Sequence, residues 1–316
     1  MYRILWTLLS VGTVSLIAQE VFTGHSDKVV ALATHPGSAW AASGSYDNYV
    51  IFWRVDKGTY RWKKVLHSVA VKDVAVAPDG RKMATCGMDK AVKIWDVPSG
   101  KLLLSLPPHP GGVYAVAFHP SAPYLATACF DGNVRIFDYR TRKLLEQMSH
   151  NGRVNDVAFS PDGRWIAGVS GDPFSPDSGN LKIWDGETGQ EIFSWNQPVK
   201  ELRKVLFTPD GKYLVVGGAP ATVYVFTHSA GQWKLLGGLK GFQFGVYALA
   251  VDAEGKYLAI GGGDMDKKIY LYTLPRFKRV KVLEGHQAKV NDLAFLKDGR
   301  LLSASDDNTV RLWKLR

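Results

Sequence analysis

The feature that most constrains this chain is a sevenfold internal repeat. Segments beginning GHSDKVVALATHPG (24–37), LHSVAVKDVAVAPDG (66–80), PHPGGVYAVAFHPS (108–121), SHNGRVNDVAFSPDG (149–163), QPVKELRKVLFTPDG (197–211), GFQFGVYALAVDAEG (241–255) and GHQAKVNDLAFLKDG (285–299) align on His25, His67, His109, His150, Pro198, Phe242 and His286. The spacings are 42, 42, 41, 48, 44 and 44 residues. A second marker, the aromatic at Trp53, Trp95, Phe137, Trp184, Phe226, Tyr272 and Trp313, keeps the same period. A unit of this length cannot bury a core alone, so the units must stack on one another.

Each unit carries V-x-x-[VLA]-A-[FV]-x-P-D-G, a short apolar run ending in small residues, a turn with Asp, and a V-x-[IL]-W-like stretch. Pro-Asp-Gly at 78–80, 161–163 and 209–211 suits tight turns, because Pro presets φ and Gly accepts positive φ. Runs such as VYAVAF are short and apolar throughout, as strands buried on both faces are. After residue 20 there is no amphipathic helical pattern longer than about two turns. A content of 46% hydrophobic and 22% charged residues excludes disorder, collagen and a multi-span membrane protein. Two cysteines, Cys86 and Cys129, are too few for a disulfide framework or a Cys-built zinc site.

A period of 40–45 residues punctuated by Gly-His (24–25, 285–286) and Trp-Asp (95–96, 184–185) resembles the WD40-repeat family over residues 19–316. The resemblance implies an all-β fold, a seven-bladed β-propeller of four-stranded antiparallel blades. The last blade has three strands before the sequence stops. The family implies that an N-terminal strand closes the ring, and Gln19–Thr23 occupies the position that Val280–Glu284 holds before the next Gly-His. Blades 5 and 6 keep the period and lose the polar marks.

Four units contain a Ser/Thr, a His and an Asp: His25, Ser43, Asp47 and Trp53; His67, Thr85, Asp89 and Trp95; His109, Thr127 and Asp131 with Phe137; His286, Ser303, Asp307 and Trp313. Such sets suggest a hydrolase. A catalytic set would occur once, however, and no G-x-S-x-G elbow is present. The resemblance implies a structural chain running from Trp through Ser/Thr and His to Asp. Blade 4 has His150 and Trp184, with Gly168 where the hydroxyl is expected. No catalytic residue, metal site or cofactor is expected: the glycine-rich stretches 217–218 and 261–264 precede no helix that would hold a phosphate.

Residues 1–18 (MYRILWTLLSVGTVSLIA) have a positive start at Arg3 and no charge from Ile4 to Ala18. They read as a secretory signal cleaved after Ala18, leaving a propeller of residues 19–316 and no stable membrane span. Export to the periplasm or medium is expected, with a cytoplasmic location as the alternative.

The family places the residue before each turn Asp on a partner-binding face. Here these residues are Tyr46, Met88, Phe130, Met265 and Asp306. Aromatic and Met side chains at such turns are interface anchors. Blade 4 has an insertion, twelve positions rather than six from Asp172 to Trp184. It puts Phe174 at an apolar tip, with Arg153 nearby to meet an acidic group. The expected function is a non-enzymatic, rigid scaffold, monomeric as a ring, that holds a protein or peptide on the face carrying the turn aspartates. The alternatives are a propeller-based enzyme (hydrolase or oxidoreductase) and a binder of an anionic polymer drawn by the net charge of +10. Nucleic acid is the less favoured partner: the basic runs 61–64, 140–143 and 276–281 are expected on outer strands, as solvated edge protection.

Overall fold

The computed structural model describes residues 19–37, 39–150, 152–175 and 177–315. The segment read as a signal, 1–18, lies outside the described residues. Seven four-stranded antiparallel sheets form the ring, and within the first six blades the strand order follows the sequence. The innermost strands are Val29–Thr34, Val71–Val76, Val113–Phe118, Val154–Phe159, Leu202–Phe207, Val246–Val251 and Val290–Phe295.

The seventh sheet completes the ring. Its outer strand is Gln19–Thr23, paired antiparallel with Thr309–Trp313 so that Gln19 lies opposite Trp313 and Thr23 opposite Thr309. Phe22 of this strand is buried and stacks on Trp53 of blade 1, centroids 5.6 Å apart. The closing strand thus covers an edge of blade 7 and contributes to the junction with blade 1.

There is no single core. Seven apolar clusters each straddle two neighbouring blades. Val71 and Val74 of blade 2, for example, pack with Ala42 and Phe52 of blade 1. Small residues at the ends of the second strands permit this approach. A Cβ on Gly44 would sit 2.7 Å from Cγ1 of Val71, too close for any side chain there. The Pro-Asp-Gly turns adopt the expected geometry, with φ of +69°, +76° and +69° at Gly80, Gly163 and Gly211.

The basic runs keep their expected place on outer strands only in part. Arg61–Lys64 lies on an outer strand, Thr59–Val65, but residues 140–142 and 276–277 precede the outer strands Lys143–Ser149 and Lys278–Leu283. Several of these cations are ties rather than free edge charges. Lys63 donates to the Gly24 carbonyl at 2.6 Å, Lys64 to the Ser99 and Gly100 carbonyls of blade 2 at 2.9 Å, and Lys281 to the Leu315 carbonyl at 2.9 Å.

Candidate partner-binding face

In blade 1 the Trp53 indole donates to the Ser43 hydroxyl at 2.8 Å, and His25 Nε2 lies 2.7 Å from that hydroxyl. His25 Nδ1 is 3.0 Å from the Asp47 carboxylate, which fixes the tautomer: Nδ1 donates to Asp47 and Nε2 accepts from Ser43. Asp47 also accepts the amides of Ser26 and Tyr49, joining the loop that enters the blade to the turn. Burial opposes its charge, but the His25 ring and these two amides outweigh burial and hold the carboxyl at about 2. Blades 2 and 7 repeat the chain through Trp95, Thr85, His67 and Asp89, and through Trp313, Ser303, His286 and Asp307. Ser43, Thr85 and Ser303 are fully buried, each with an indole donor already on its oxygen. That chemistry ties strands together and leaves these hydroxyls no path to a substrate.

Blade 3 departs from this pattern. His109 Nε2 bonds Thr127 at 2.9 Å, but the expected link from His109 to Asp131 is missing and His109 Nδ1 is buried without a partner. Asp131 instead takes two bonds from Arg135, at 2.6 and 3.2 Å. Pro110 gives the reason. In blades 1, 2 and 7 the residue after His supplies an amide to the Asp, and Pro has none, so the carboxylate turns to the nearest fork of donors. Burial, with the Arg135 charge added, pushes His109 down to about 4. In blade 4 the Gly168 carbonyl, 3.0 Å from His150 Nε2, stands in for the missing hydroxyl. Blade 6 retains its turn Asp in a new role: Asp266 accepts from the Tyr270 hydroxyl at 2.7 Å and from the Gln243 amide at 3.1 Å.

The more informative feature lies at the axis. Every inner strand carries a β-bulge against its neighbour, at one position: between Val29 and Ala31, Val71 and Asp73, Val113 and Ala115, Val154 and Asp156, Leu202 and Lys204, Val246 and Ala248, and Val290 and Asp292. The extra residues are Val30, Lys72, Tyr114, Asn155, Arg203, Tyr247 and Asn291, and all seven line one cavity of about 340 Å³ at the mouth of the central channel. A bulge re-aims a side chain, and here seven of them aim at one place.

One residue further on, three aspartates bridge blades. Asp73 accepts the Val116 amide of blade 3, Asp156 the Val205 amide of blade 5, and Asp292 the Leu32 amide of blade 1, at 2.9, 2.9 and 2.7 Å. In blade 5 the same position is Lys204, 3.4 Å from Asp292. Burial, set against the attraction of Lys204, pushes Asp73 up to about 7 and Asp156 up to about 6. Neither the bulge residues nor the bridging aspartates were singled out from sequence. Their signal was present as the two variable positions after Val29, Val71, Val113, Val154, Leu202, Val246 and Val290 of the aligned segments.

Of the expected partner-binding residues, Tyr46, Met88, Phe130 and Met265 are exposed, and Phe174 is 91% exposed at the tip of the insertion. Tyr46 lines the mouth, as does Pro173 beside Phe174. Phe130 stacks on the mouth residue Tyr114 at 6.2 Å. Phe244, 66% exposed with φ +58°, joins this set unforeseen. Two residues are not free contacts. Arg153 donates to Glu201 at 2.9 Å and to the Gly171 carbonyl at 2.8 Å, so the acidic group expected from a partner is supplied within the chain. Asp306 accepts from Asn291 at 2.7 Å and is shared by Lys28 and Lys289.

A ring of seven blades, several tied by the same buried Trp–Ser/Thr–His–Asp chain, defines a repeat propeller. The family described as "WD domain, G-beta repeat" matches residues 18–54, 62–96, 100–138, 142–185, 233–273 and 277–314, and the chain belongs to this WD40 family. Residues 186–232, which form most of blade 5, fall outside the six matches, yet a complete sheet forms there because the apolar pattern persists. An uncharacterized WD repeat-containing protein of Synechocystis sp., sll1491, is 34% identical over 70 residues, or 22% of this chain and 19% of that protein.

Proposed function

We propose that this protein is a non-enzymatic scaffold that holds a protein partner against the face carrying the turn aspartates. WD40 propellers are in general protein-interaction scaffolds. The observation that carries the reading is the set of exposed Met88, Phe130, Phe174, Phe244 and Met265 side chains on turns and loops of that face. Large apolar residues on rigid turns are interface anchors, and a solvated turn has no use for them. The face acts as a monomeric ring, and it acts after export, with residues 1–18 as the cleaved leader; the uncharged run from Ile4 to Ala18 supports this.

Affinity capture from the source cells tests the reading. Wild-type protein should retain a partner that Phe130→Ser/Phe174→Ser does not, at equal thermal stability. Equal capture by both would place the interface elsewhere. Sequencing of the native N-terminus tests export: Gln19 is the expected first residue, and retained Met1 contradicts it.

A further inference from the structure

The cations at the channel mouth outnumber their partners. Glu201 serves both Arg153 and Arg203, at 2.9 and 2.6 Å. Asp306 serves both Lys28 and Lys289, at 3.5 and 3.4 Å. Asp264 lies 3.6 Å from Lys289 and Asp172 4.0 Å from Arg153, so five cations, Lys72 among them, face four carboxylates. Lys72 meets no carboxylate among the described residues. Its ammonium donates to the Tyr46 hydroxyl at 3.0 Å and lies between two rings, 5.0 Å from the centre of Tyr46 and 4.7 Å from that of Tyr114. Arg203 lies 3.8 Å over the Tyr247 ring, and its Nη1 is buried with no acceptor. The carboxylates one layer deeper do not answer this excess. Asp73 and Asp156 each accept two backbone amides, and Asp292 accepts the Leu32 amide and faces Lys204.

We infer that the mouth receives an anionic side chain, carboxylate or phosphate, projecting from an acidic peptide segment of a partner. The inference rests on the binding face proposed above and names the chemistry of what docks there. Lys72, which has no carboxylate partner, and Arg203 are held against aromatic rings in a recess, where low dielectric strengthens a charge-assisted bond. The shape selects a peptide over a duplex. Arg203 and Lys289 have side chains only about one-fifth exposed. A projecting side chain reaches them, whereas a phosphate backbone reads cations standing proud of a surface. The apolar rim of Met88, Phe130 and Phe174 suits residues flanking the acid.

The test is a selection of random twelve-residue peptides displayed against the full chain. Asp and Glu should be enriched over Lys and Arg among the binders. A selected peptide, labelled and followed by anisotropy, should bind about tenfold or more weakly to Lys72→Met, with much of the loss restored in Lys72→Arg. Lys289→Met serves as a second variant, and an unchanged melting temperature certifies each fold. A phosphoserine version of the same peptide separates the two anions: tighter binding assigns phosphate, equal or weaker binding assigns carboxylate, and both support the inference. Recovery of no binders, binders without acidic enrichment, binding unmoved by both variants, or stronger competition by a DNA duplex of equal charge would each overturn it. In those cases capture of a partner through Phe130 and Phe174 would still stand or fall on its own test.

Discussion

Asp73 Oδ2 accepts the backbone amide of Val116 at 2.9 Å, and so fastens blade 2 to blade 3 at the axis of the ring. The bulge before Asp73 turns its carboxylate toward the next blade, where an amide of the neighbouring inner strand is available. Its other oxygen accepts the Val74 amide at 2.8 Å. Asp73→Ala should strand both amides and cost about 1–3 kcal/mol, whereas Asp73→Asn, which keeps one acceptor, should cost less. Urea unfolding of the two variants checks the order. Equal midpoints for Ala and wild type would mean that the bridge contributes nothing.

The Trp95 indole donates to Thr85 inside the buried chain of blade 2 at 2.8 Å. Trp95→Phe keeps the ring and removes the donor, and should lower stability by about 1–3 kcal/mol. An unchanged denaturation midpoint would contradict the structural role assigned to the quartets.

Phe22 should matter more than its place in a short terminal strand suggests, because it is buried and stacked on Trp53. Phe22→Ala should cost about 3 kcal/mol and loosen the closure between blades 7 and 1. Faster hydrogen exchange of the Thr309–Trp313 amides is the expected signature. Exchange raised throughout the ring, with no local excess there, would argue against closure at this strand.

His109 gives a pH dependence with a definite sign. Its folded pKa of about 4 lies below the ordinary 6.5, because burial and Arg135 disfavour its charged form. Its contribution is therefore complete above pH 6.5 and is lost as pH falls from 6.5 to 4. Asp73 and Asp156, held high, shift the wild-type curve in the opposite direction over much of this range, so the measurable quantity is a difference. The stability gap between wild type and His109→Gln should move by up to about 3 kcal/mol against the wild type between pH 7 and pH 4. A gap independent of pH would show that His109 is not held neutral.

The fold was legible because two markers kept one period, and the period alone dictates stacked units. Blade 5 shows how little the polar marks matter to this. It lacks the quartet, yet Leu202, Val205 and Phe207 still fill its junction with blade 4. The site was legible only in part. Exposed turn residues such as Met88 and Phe130 can be read from the repeat, because a turn position fixes exposure. Pairing cannot. Arg153 is free or occupied depending on where Glu201 falls, 48 residues away, and Asp131 leaves His109 because Pro110 lacks an amide. The bulge column escaped notice because its residues, from Val30 to Asn291, share a place and no chemistry.

The central claim is that the partner sits over the channel mouth. Hydrogen exchange of the captured complex against the free protein tests it most directly. Protection is expected at the turns around Tyr46, Met88 and Phe130, at the insertion around Phe174, and at the loop around Phe244. Protection confined to the Pro-Asp-Gly turns at 78–80, 161–163 and 209–211, with the mouth turns unchanged, would contradict it.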